Sequence, residues 1–157
     1  MKVIHVITDL DIGGAEMMLY KLLASLRNNE IESLVITLMG RGKITERIEA
    51  LGVKVETLDL EQGARPSWNT IKKLKRIVRI SNPDIIQGWM YHGNIAATVA
   101  VFLFDPMRRK VKLFWNVRQT LYDINSEKMQ TRWLIVLGRW LSFFPHSIIY
   151  NSNLSVE

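Results

Sequence analysis

Four clusters of residues in this chain have the chemistry to hold an anionic or hydroxyl-rich small molecule. The first is Thr8-Asp9-Leu10-Asp11-Ile12-Gly13-Gly14-Ala15-Glu16, where two adjacent glycines separate an apolar run from residues at helical spacing. Backbone N–H groups at a helix start favour negative charge, and glycine can take positive φ and lets another molecule approach the main chain closely. The pair is neither the three-glycine dinucleotide fingerprint nor the phosphate-cradling P-loop; taken alone, it also suits a tight connection. The second cluster is Gln87-Gly88-Trp89-Met90-Tyr91-His92-Gly93-Asn94. His92 would stand near the start of an alanine-rich helix, whose positive end keeps an imidazole neutral and able to bond a sugar or phosphate. Helix capping or packing is its alternative role. The third, Asn116-Val117-Arg118-Gln119-Thr120, sets an amide beside a guanidinium that can grip a phosphate or carboxylate with two N–H groups, or else pair on the surface with Asp123 or Glu127. The fourth is Lys72, Lys73, Lys75, Arg76 and Arg79, a basic run on one helix with no acid among them. Such a run is most often a solvated face.

These clusters need a framework, and the hydrophobic pattern supplies one. Strands are predicted at Lys2 to Thr8, Ser33 to Leu38, Lys54 to Leu58, Asp84 to Trp89, Lys112 to Asn116 and Ser147 to Tyr150, with helices between them at 14–28, 44–51, 67–81, 92–104 and 128–144. Gly52 closes the second helix, Ser67 caps the third, and Asn82-Pro83 ends it. Short strands alternating with helices predict an α/β fold: a doubly wound, Rossmann-like parallel sheet in the order 3-2-1-4-5-6 with helices on both faces. In that order ligands bind at the carboxyl ends of strands one and four, where the winding reverses. Those ends are Asp9 to Gly14 and Gly88 to Asn94.

At 157 residues, 48% of them hydrophobic, the chain has the size of a single domain with its own core, or of one lobe of a larger protein. It has no cysteine, which excludes disulfides, thiolate nucleophiles and Cys-ligated zinc and suits a reducing cytoplasm. The three histidines, at 5, 92 and 146, lack metal-site spacing. His5 is expected to be a satisfied core residue and His146 a structural one. The amino terminus is too short and polar in its apolar run for a secretory signal, and no uncharged apolar stretch approaches the roughly 20 residues of a membrane span. A formal charge of +6 favours anionic partners. Lys128, Arg132 and Arg139 beside Trp133, Trp140, Phe143 and Phe144 would suit an anionic membrane surface or burial against a second domain. Nucleic acid has only the charge in its favour. The last seven residues, from Asn151, read as a further helix start with Ser152 as its cap, so the chain is expected to be one lobe of a longer protein.

Taken in order, the Gly-Gly-x-Glu turn, Asp84-Ile85-Ile86-Gln87 leading to His92-Gly93, Asn116-Val117-Arg118, and Ser147-Ile148-Ile149-Tyr150-Asn151-Ser152 resemble the N-terminal, acceptor-binding lobe of a retaining glycosyltransferase of family 4 with the GT-B fold. The resemblance implies sugar transfer from a nucleotide-sugar to a glycan or lipid-linked acceptor, in bacterial surface polysaccharide or lipopolysaccharide synthesis. It places His92 against the transferring sugar as the catalytic contact, Gly13 and Gly14 against the donor with Glu16 supporting the turn, and Arg118, Asn116 and Tyr91 in the acceptor pocket. No metal or cofactor is implied beyond the donor substrate. The location implied is the cytoplasm, with peripheral contact to the inner face of the plasma membrane. The family's glutamate pair, two glutamates with seven residues between them in its C-terminal lobe, has no counterpart here, so this chain alone is not expected to transfer sugar. The alternative is a free-standing Rossmann-like module that binds an anionic metabolite or a partner protein without catalysis.

Overall fold

A computed structural model describes residues 1–27, 30–107, 110–117 and 140–150. In chain order the elements are β1 (Lys2–Ile7), α1 (Gly14–Leu26), β2 (Glu32–Thr37), α2 (Thr45–Glu49), β3 (Lys54–Thr57), α3 (Trp68–Ser81), β4 (Ile85–Trp89), α4 (Met90–Phe104), β5 (Lys112–Val117) and β6 (Ser147–Tyr150). The six strands form one sheet in the order β3-β2-β1-β4-β5-β6, and every neighbouring pair is parallel. This is the fold the alternation of apolar runs predicts.

Side chains alternate across each strand, so the two sheet faces bury different residues. Ile4, Val6, Ile36 and Ile86 pack on one face with Leu74 and Val78 of α3 and Ala97, Ala100 and Val101 of α4. On the other face Ile7 and Val35 meet Ala15, Leu19 and Leu23 of α1 and Ile48 of α2. Helices therefore cover both faces, which is why the central strands β1 and β4 can be mostly apolar, with His5 and Gln87 the buried polar exceptions.

The punctuation acts as expected. The Ser67 hydroxyl accepts the Thr70 amide at 3.2 Å to cap α3, Asn82 ends that helix at φ 48°, and Gly52 turns the chain after α2 at φ 84°. One boundary differs: α4 begins at Met90, two residues before the helix predicted from 92. Most of the helix predicted at 128–144 lies outside the described residues. Near its end, Leu141 and Phe144 pack onto the core on the α3–α4 side, with the Phe144 ring edge-on to Phe102 at 5.0 Å.

Candidate functional site

Because β1 lies between β2 and β4 while its own connection runs to β2, the winding reverses between β1 and β4. The segment after β1 is braced by the one after β2. Thr8 O accepts the Met39 amide at 2.9 Å, Leu10 O accepts the Ile44 amide at 3.0 Å, and Asp11 Oδ1 accepts the Lys43 amide at 3.3 Å. Gly42 makes this possible, since a Cβ there would overlap the Leu10 and Asp11 backbone. Sequence reasoning missed Gly42; its one signal was a glycine on each side of Arg41.

The glycine pair works differently from its sequence-based reading. Gly13 is extended, at φ −153° and ψ 176°, and caps α1 without needing a left-handed backbone. A Cβ on Gly13 would meet only the Glu16 carboxylate, the end of a flexible side chain that can swing aside, and one on Gly14 would meet nothing. Glu16 thus folds back over the start of its own helix, where it also accepts its own backbone N–H. Partial burial raises its pKa above the ordinary carboxylate value, and Asp9 and Asp11 push the same way against that hydrogen bond. A carboxylate therefore already faces this helix start, and an incoming anion must share or displace it.

Across the reversal, β4 runs into α4 with almost no loop. Met90 bends the chain at φ 62°, a left-handed conformation that is uncommon for a side chain of this size and stores strain at the entry to the helix. Two glycines seat the first turn. A Cβ on Gly93 would strike Val6 O of β1, and a Cβ on Gly88 would strike the backbone of Asn94. Tyr91 is half-buried and His92 exposed on this turn. Enough protein flanks the His92 ring that desolvation lowers its pKa from 6.5; the direction is the expected one, but the cause is burial. Asn116, at the end of β5, lies beside Trp89 in register and is buried, and its amide donates to Asn94 Oδ1 at 3.3 Å. Arg118, like Asn151-Ser152, lies outside the described residues.

Three buried residues, Asn94, Thr98 and Trp115, hold this corner together; Asn94 was within the predicted loop, whereas Thr98 and Trp115 were missed. Asn94 accepts from Asn116; its own carbonyl accepts the Thr98 hydroxyl at 2.8 Å, and that hydroxyl accepts Trp115 Nε1–H at 3.1 Å. The signal available was a polar pair four residues apart, Asn94 and Thr98, in an otherwise apolar helix.

His5 corrects an expectation. It is buried as predicted, and its Nδ1 accepts Trp89 Nε1–H at 3.3 Å, but its Nε2 is buried with no hydrogen-bond partner. Beyond the indole, the Gln87 side chain acts on the ring. His146 is structural: its Nδ1 accepts the Leu113 amide at 3.3 Å, and its ring stacks on Phe114.

The structure thus brings the Gly13–Glu16 turn, the Tyr91–His92 turn and Asn116 to the carboxyl ends of three adjacent strands, β1, β4 and β5. Known structures share this frame. The Anabaena protein HepE, in complex with UDP and glucose, superposes with a TM-score of 0.73 at 20% identity, over 99% of this chain and 39% of that one. The lipopolysaccharide outer core galactosyltransferase WaaB, in its apo form, gives 0.53 at 13% identity over 73% and 32%. A provisionally assigned UDP-N-acetylglucosamine 2-epimerase from Listeria monocytogenes gives 0.55 at 14% identity over 98% and 39%. At these identities the likeness concerns the fold, and the chain spans well under half the length of each protein. No curated protein matches the sequence. The model of Glycosyltransferase Family 4 matches residues 12–156, nearly the whole length, and the chain belongs to that family.

Proposed function

We propose that this chain is the acceptor-binding lobe of a two-lobe glycosyltransferase that moves a sugar from a nucleotide-sugar to a glycan or lipid-linked acceptor, in the assembly of surface polysaccharide or lipopolysaccharide. The observation that carries the reading is the winding reversal between the adjacent strands β1 and β4, where the first turn of α4 rests on β1 with Gly93 seated on Val6 O, in a chain of family 4. In this reading the backbone around Gly13 and Gly14 approaches the donor, Glu16 sets the shape of the turn, and neutral His92 bonds the transferring sugar. Tyr91, Asn116 and Arg118 lie toward the acceptor. The donor is a substrate, and the reaction uses no resident metal or cofactor. The work is done at the cytoplasmic side, in peripheral contact with an anionic membrane where the acceptor is a lipid. No helix among the described residues is long and apolar enough to cross that membrane.

The test is release of nucleoside diphosphate by the intact protein across a panel of nucleotide-sugars and acceptors, beginning with UDP-sugars because HepE was crystallised with UDP and glucose. One donor should support turnover, and His92→Ala should lower kcat about a hundredfold, the order expected for one preorganised hydrogen bond to developing charge. No release with any donor would refute the transferase reading and leave the non-catalytic binding module in its place.

A further inference from the structure

A concavity lies at the opposite end of the sheet from the β1 and β4 turns. Between α3 and the amino ends of β1, β2 and β3 the surface is hollowed by about 400 Å³, a volume within the range of small-molecule sites. Helical spacing builds one wall: Lys73, Arg76, Ile77 and Ile80 recur at i, i+3, i+4 and i+7 and all line the hollow. Strand alternation builds the other. Ile4 and Leu34 form an apolar floor, while Lys2 and Lys54, with Glu32 and Glu56, occupy the same sheet face nearer the rim.

The lining holds four cations and two carboxylates. Lys2 pairs with Glu32 at 3.1 Å, Lys54 with Glu56 at 2.5 Å, and Lys73 with Asp59 at 2.7 Å. These pairs stand largely in solvent, where such contacts are weak and readily exchanged. Arg76 has no ion-pair partner among the described residues, and its planar fork suits a phosphate oxygen pair. Lys72, Lys75 and Arg79 on the same helix add positive potential without lining the hollow, and Ile80, 73% exposed, leaves apolar surface at its rim.

We propose that this hollow is a second binding site, remote from the β1–β4 turns, that takes a phosphate or diphosphate group. Arg76 grips the group, Lys73 neutralises it from one helical turn away, and the Ile4–Leu34–Ile77 floor accepts any hydrocarbon attached to it. The same chemistry is offered by a free phosphorylated metabolite and by a lipid headgroup. The site does not depend on the transferase reading.

The experiment follows isoleucine methyl resonances of the intact protein by NMR. One arm adds inorganic pyrophosphate; the other adds phosphatidylglycerol vesicles, with phosphatidylcholine vesicles as the uncharged comparison. Saturable shifts of Ile77 and Ile80, with Ile12 in the β1 turn unmoved, are expected, and Arg76→Glu should weaken them at least tenfold. Lys75→Glu changes the charge of α3 by the same amount outside the hollow and should leave the affinity within twofold. Saturation by pyrophosphate assigns a free phosphate ligand; a response to phosphatidylglycerol vesicles alone assigns a lipid headgroup. No shift with either probe would overturn the site. So would equal weakening by Arg76→Glu and Lys75→Glu, which marks diffuse charge. Arg76 is exposed, so both variants should keep the parent melting temperature.

Discussion

The buried contact between His5 and Trp89 joins residues 84 positions apart across β1 and β4, with the rings edge-on at 6.2 Å. For Nδ1 to accept the indole N–H, the ring must be neutral and carry its proton on Nε2. Burial enforces neutrality: it lowers the His5 pKa from 6.5 to about 4, against a smaller opposing effect of the Gln87 side chain. Between these values the unfolded chain binds the proton and the folded chain does not. The contribution of His5 to stability is therefore whole above pH 6.5, falls as pH drops toward 4 and is level below that, a loss of roughly 3 kcal/mol. Chemical denaturation across this range should show that decline, and a His5→Phe variant should lack it. Trp89→Phe removes the donor and leaves Nδ1 unpaired in the core, at a cost of about 2 kcal/mol. Because Trp89 directly precedes the strained Met90, the same variant should also disturb the turn that carries His92; a shift in the imidazole resonances of His92 would report it.

At the scale of elements, glycine acts here by closeness more than by φ. Gly88 and Gly93 let the first turn of α4 rest on β4 and β1, and a methyl group at Gly93 would strike a backbone oxygen that cannot swing away. Gly93→Ala should cost about 2 kcal/mol or more, the scale of overpacking in a rigid site, and thermal unfolding would measure it. Ser67→Ala removes an observed cap from α3 and should cost about 1 kcal/mol. The contrast marks what was legible in the sequence. Ser67, Asn82 and Gly52 act through local backbone chemistry, which neighbouring residues announce, and the apolar runs of β1 and β4 state their own burial. The start of α4 at Met90 was not legible, because it depends on tertiary contacts of Gly88 and Gly93 that no local pattern records. The Asn94–Thr98–Trp115 chain was hidden for the same reason: its partners come from different elements. That the Glu16 carboxylate folds over Gly13 was not legible either, because it depends on a rotamer.

At the scale of the whole molecule, the fold separates two chemistries. Asp9, Asp11 and Glu16 gather on the turn after β1, whereas Lys73 and Arg76 face the hollow at the sheet's other end. Under the proposed function, a donor approaching the β1–β4 turns would meet carboxylates that suit sugar hydroxyls, and its phosphates would have to displace Glu16 or be held from elsewhere. Glu16→Gln removes one charge from that surface and should tighten nucleoside diphosphate binding severalfold, a change calorimetry would measure. The central claim is that the turns after β1 and β4 form one crevice for a sugar-bearing ligand. The most direct test titrates the intact protein with UDP-, GDP- and ADP-glucose while NMR follows the Gly14 amide and the His92 ring together. Both signals should move along one saturation curve for the nucleotide-sugar that binds. A ligand that saturates the protein while moving only one of them, or neither, would contradict the claim.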